Sequence, residues 1–120
     1  MSFSMHIFRK EVQKAQEAAG NVEFFEDPAN LLPFTEEQKE QLSVRLGKYN
    51  YRETGRDSDR IFYEFDDGNA FAQAMLTAGG LYFSASGEGI FEIAMTSSEF
   101  TDSGEFAKYD PQEGGWEEEV

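Results

Sequence analysis

Apolar positions along this chain follow two spacings, one helical and one alternating. Met5, Phe8, Val12, Ala15 and Ala19 recur at helical spacing, and Gly20–Asn21 supplies a stop, which predicts an amphipathic helix over residues 4–19. Val22–Glu26 reads as a short strand ended by Asp27–Pro28, and PANLLPF, with two prolines, as a loop. Thr35-Glu-Glu-Gln38 has the form of a capping box, with Glu36 and Glu37 in the first turn where the helix dipole favours anions. Leu42, Leu46 and Tyr49 continue one face, so a helix is expected from residue 36 to 47.

Tyr49–Glu53 and Arg60–Asp66 have the composition of strands, joined by the polar turn TGRDSD. Residues 69–78 fit two templates. Asp67–Gly68 could open a tight hairpin, but Phe71, Ala74, Met75 and Ala78 form a helical stripe that Asn69 can cap and Gly79–Gly80 can end, so a helix is expected. Leu81–Ser86 and Gly89–Thr96 are then strands hinged at SGEG. The order is a helix, then β-α-β-β-α-β, then a further strand. Its centre is that of a ferredoxin-like α+β two-layer sandwich, with the N-terminal helix and C-terminal strand as additions. One domain is expected over 1–108, followed by an acidic segment, 109–120, docked through Trp116.

Alternation splits each expected strand into two faces. Ile61, Tyr63 and Phe65 share one side, as do Leu81, Phe83 and Ala85, and Phe91, Ile93 and Met95; these rows are the expected core. The opposite rows mix rings, small residues and carboxylates: Phe62 and Glu64; Tyr82, Ser84 and Ser86; Ile90, Glu92 and Ala94. Either the C-terminal segment covers this second face, or it meets a partner or a second copy.

Composition makes the second possibility interesting. The chain has 120 residues, no cysteine, and a formal charge of −14. Residues 1–60 hold nine Lys/Arg against eleven Asp/Glu, whereas residues 61–120 hold Lys108 alone against thirteen acids. Such a half repels nucleic acid and anionic membranes and attracts basic surfaces. Aromatic residues at 15% argue for a packed core rather than disorder. The N-terminus lacks the pattern of a signal peptide and no apolar run is long enough to span a bilayer, so a soluble, cytoplasmic protein is expected.

Enzyme chemistry finds little to stand on. His6 is the lone histidine and no GxSxG elbow occurs, which leaves a nucleophilic triad without parts. GEGIFE lacks the third small residue of a dinucleotide loop. DSD (57–59) and DDGN (66–69) lack the calcium-loop spacing and read as turns. No metal or other cofactor is expected.

The expectation is therefore a non-catalytic binding protein that engages a basic protein, with Phe62, Glu64, Tyr82, Glu92, Glu99, Asp102, Trp116, Glu117 and Glu118 as candidate contacts. A small-ligand or divalent-metal module and a self-associating domain stand as alternatives. In composition, though in no motif, the chain resembles bacterial immunity proteins and inhibitors that block basic nucleases.

Overall fold

The computed structural model describes residues 3–20, 24, 31–101, 105–112 and 115–117. Over these it is an α+β fold, with a seven-stranded antiparallel sheet and three helices. The chain opens with β1 (Phe3–Arg9) and α1 (Lys10–Ala19), then α2 (Glu36–Lys48). A meander follows: β2 (Arg52–Arg56), β3 (Ile61–Asp66), β4 (Phe71–Leu76) and β5 (Leu81–Ala85). It closes with α3 (Gly89–Glu99), β6 (Phe106–Asp110) and β7 (Gly115–Glu117). Sheet order is β2-β3-β4-β5-β1-β6-β7, so α3 carries the chain from β5 over β1 to β6. Among the described residues no helix is long and apolar enough to cross a membrane.

The helix at 36–48 forms as the capping box predicts. Thr35 Oγ1 accepts the Gln38 amide at 3.1 Å, and the Thr35 amide donates to Gln38 Oε1 at 3.0 Å. The strand expected at Tyr49–Glu53 is shifted to Arg52–Arg56, because Tyr49 ends α2 as its C-cap. Three expectations of element type fail, and with them the split β-α-β-β-α-β order. Residues 4–9 are strand, because Met5 and Ile7 point into the core while Ser4, His6 and Phe8 face the other way; only Lys10–Ala19 is helical. Residues 71–76 are strand β4, and residues 89–99 are helix α3 rather than a strand. The strand expected at Val22–Glu26 lies outside the described residues, Phe24 excepted.

The meander is built on a turn that recurs every ten residues. Asp57, Asp67 and Thr77 each donate the backbone amide to the carbonyl three residues on, at Arg60, Ala70 and Gly80. Each also caps the turn with its side chain: Asp57 Oδ1 accepts from Asp59 and Arg60, Asp67 Oδ1 from Asn69 and Ala70, and Thr77 Oγ1 from Gly80. These amides hold the Asp57 and Asp67 carboxyls below the usual carboxylate range, with the Arg60 guanidinium adding to the effect at Asp57. One carboxylate from each would-be calcium loop, Asp57 and Asp67, is thereby engaged as a turn cap.

One face of the sheet is closed. Met5, Ile7, Ala72, Ala74, Leu76, Leu81 and Phe83 pack under Leu42 and Leu46 of α2 and Ile93 of α3, with Phe100 behind it. The alanines of β4 are spacers here. A Cβ on Gly89, at the start of α3, would stand 2.0 Å from the Phe71 carbonyl oxygen and 2.9 Å from Ala85 Cβ, so the helix rests directly on backbone. The expected core row Phe91, Ile93 and Met95 is split by the helix: Ile93 is buried while Phe91 and Met95 are 70% and 66% exposed.

Candidate functional site: the open half of the sheet

Among the described residues the helix on the opposite face is α1, which covers the β1–β6–β7 side, with Phe24 and Leu31 packed beside it. Val12 packs there with Phe8 and Tyr109, and Trp116 closes the cluster. The Trp116 indole donates from Nε1 to Gln16 Oε1 at 2.8 Å, and its ring meets Tyr109 at 5.1 Å and Phe8 at 6.0 Å. Trp116 thus ties β7 to α1, and β6 runs unbroken through residue 108 to Asp110.

From β2 to β5, no helix among the described residues lies over this face. Apart from a register shift between Glu53 and Gly55 on β2, the strands pair continuously, and cross-strand neighbours fall into two rows. Phe62, Met75, Tyr82 and His6 are successive partners across β3, β4, β5 and β1, and the same row continues under α1 to Tyr109 and Trp116. Beside it run Arg52, Glu64, Gln73, Ser84 and Ser4. The first row is aromatic and apolar except for His6; the second is polar. Between them lies a concavity of about 530 Å³ that includes Thr54 on its rim.

Local contacts fix the walls. Tyr82 folds over the Thr77–Gly80 turn so closely that a Cβ on Gly80 would stand 2.6 Å from its ring, and burial raises the phenol above its ordinary pKa. The His6 ring meets the Tyr82 ring edge-on at 4.7 Å, and burial lowers the imidazole from 6.5 to about 4. It is therefore neutral at pH 7. Arg60 places its guanidinium 5.3 Å above the Phe62 ring. Glu64 is half-buried and makes no hydrogen bond or ion pair among the described residues.

Three of the nine candidate contacts, Phe62, Glu64 and Tyr82, meet in this concavity. Glu92 and Glu99 do not, because residues 89–99 are helical and α3 packs against the closed face. Glu92 accepts from Thr96 Oγ1 at 2.6 Å and, after burial itself, is the cause that pushes Tyr51 above its ordinary pKa. Glu99 is exposed, and its carbonyl receives the Arg45 guanidinium at 2.7 Å. Trp116 shares the sheet face but packs against α1, away from the concavity. Glu117 stands opposite Lys108 in the β6–β7 ladder. Asp102, Glu118 and the side chain of Glu117 lie outside the described residues. Sequence reasoning missed Ser4, His6, Gln73 and Met75. Strict alternation in FSMHIFR and FAQAML was the signal, and helical stripes through the same residues obscured it.

The charge imbalance has a structural counterpart. Lys108, the single cation of residues 61–120, is 2% exposed and donates to the Ala94 carbonyl at 3.2 Å. The second half therefore shows solvent no cationic side chain. Arg9–Glu11, Arg56–Glu53 and Arg60–Asp57 each pair residues of the first half. Asp66 and Asp67 on the β3–β4 hairpin and Glu88 before α3 are exposed at one end of the sheet, together with Phe71. Among the described residues no three acidic or histidine side chains converge as a metal site would require. No protein-family model matches the chain, and no curated protein matches it.

Proposed function

We propose that this chain is a non-catalytic binding protein that engages a basic protein and neutralises or regulates it, in the manner of an immunity protein or inhibitor. The observation that carries this reading is the burial of Lys108, which leaves the surface of residues 61–120 with carboxylates and no cation. Such a surface sums to a field that speeds encounter with a basic partner, by about 10- to 1,000-fold at low salt. The uncovered aromatic row on β3, β4 and β5 supplies anchors that a purely solubilising charge would not need. A nuclease fits as the partner class, since carboxylates can occupy a groove built for phosphates. The lack of cysteine suits action in a reducing cytoplasm.

Immobilised protein exposed to native lysate at low salt should retain a protein of high isoelectric point, released as salt rises. A variant carrying Asp66→Lys and Glu88→Lys should retain less of it. Retention of neutral or acidic proteins alone, or retention indifferent to salt, overturns the reading.

A further inference from the structure

We propose that the open half of the sheet is a slot for one cationic side chain, an arginine or lysine projecting from the partner. This deepens the reading above and rests on it for the partner's charge. The two cross-strand rows are two residues apart along each strand, about 7 Å. That separation suits an alkyl stem lying on Phe62, Met75 and Tyr82 with its head group over Glu64, Gln73 and Ser84.

Glu64 supplies the charge. Other turn and strand carboxylates are engaged: Glu53 by the Arg56 guanidinium at 2.7 Å, Asp57 by Arg60 and two amides, Asp67 by two amides. Glu64, half-buried beside aromatic rings, is engaged by nothing among the described residues, and the Gln73 side chain is equally uncommitted. A carboxylate in such surroundings pairs strongly with a guanidinium because the rings exclude water and attract the cation themselves. Phe62 already takes the Arg60 guanidinium on its ring, so the chemistry operates on this face. His6, held neutral by burial, adds a wall without repelling a cation. Arg52, exposed and opposite Glu64 in the β2–β3 ladder, forms no ion pair with it and is the nearby cation that competes with an incoming one.

The test is a two-dimensional amide NMR titration with acetyl-Gly-Arg-Gly-amide and the same peptide bearing uncharged citrulline in place of arginine. The arginine peptide should produce saturable shifts at Phe62, Glu64, Gln73, Met75 and Tyr82, and the citrulline peptide should not. Glu64→Gln should weaken the binding about tenfold, the loss expected for one charge-assisted hydrogen bond. Arg52→Gln should tighten it. Equal shifts from both peptides, shifts spread over Asp66, Asp67 and Glu88 instead, or indifference to Glu64→Gln overturn the slot. Salt-sensitive capture of a basic protein that Glu64→Gln leaves intact overturns the slot while sparing the broader reading. A slot that takes the arginine peptide in a protein that retains no basic partner does the opposite.

Discussion

The two faces of the sheet are finished to different standards. Under α2 and α3, every inward side chain of β4 and β5 is buried, and α3 sits so low that only glycine fits at its first position. Across the same strands on the other side, Phe62, Met75 and Tyr82 are half-buried, and no helix among the described residues lies above them. Fully covering a side chain of this size contributes about 1.5–3 kcal/mol. The second face leaves part of that gain unused at three neighbouring positions. A fold that closes one face so tightly and leaves half of the other without a helix among the described residues has its packing concentrated on one side.

The largest expected effect comes from loosening the closed face. Gly89→Ala places a Cβ against the Phe71 carbonyl, which is backbone and cannot rotate away, so α3 must lift from β4 and β5. Overpacking of this kind costs about 1–3 kcal/mol, and the upper end is expected where the obstacle is backbone. Gly55→Ala, on β2, meets nothing within 4 Å and should change stability by about 0.5 kcal/mol or less. Urea denaturation of the two variants beside the parent measures the contrast. Equal, small effects would mean that α3 is not seated as described and that the two faces differ less than they look.

The closed face is also where the sequence misled. In FAQAML the alanines suggest helix by propensity, yet Ala72 and Ala74 are small because α3 must approach β4 closely. In GIFEIAMTSSE the residues Phe91, Ile93 and Met95 mimic an alternating core row, but Ile93, Thr96, Ser97 and the following Phe100 are buried, at helical spacing. Tertiary packing overrode local preference in both segments, and the errors were complementary. The turn caps at Asp57, Asp67 and Thr77 offered a cue, since a ten-residue period of strand plus turn leaves no room for a helix at 69–78. By contrast the capping box at Thr35 and the rows Ile61–Tyr63–Phe65 and Leu81–Phe83–Ala85 were legible, because local hydrogen bonding and strict alternation both agree with the final packing. Phe62, Glu64 and Tyr82 were legible as outward residues for the same reason. Their meeting with His6 was not, because it depends on β1 inserting between β5 and β6.

An intermediate effect belongs to His6, at the boundary between the covered and open parts of the second face. Its folded pKa is near 4, below the 6.5 expected of an exposed histidine, so the unfolded chain takes up the proton first as pH falls. The stabilisation is present at pH 7, declines as pH drops from 6.5 towards 4, and is gone below that. Between pH 7 and pH 5, above the range where most carboxylates titrate, the loss should be about 2 kcal/mol. Urea denaturation at both pH values, compared with His6→Gln, isolates it. A variant with the same pH slope as the parent would place the imidazole in water and remove a wall of the concavity.

The smallest effect is the one that separates the faces most sharply. Glu64 makes no hydrogen bond or ion pair among the described residues, so Glu64→Gln removes no internal contact and keeps the side chain's size. It also removes one unit from a net charge of −14, which relieves self-repulsion at low salt. Stability should therefore change by about 0.5 kcal/mol or less, with the sign favouring the variant, and the difference should fade as salt rises. Loss of more than about 1 kcal/mol would mean that Arg52, its cross-strand neighbour, holds Glu64 in solution, because a surface pair must be well ordered to contribute that much. The carboxylate would then belong to the fold, and the open face would lose the one group that distinguishes it from an uncovered sheet.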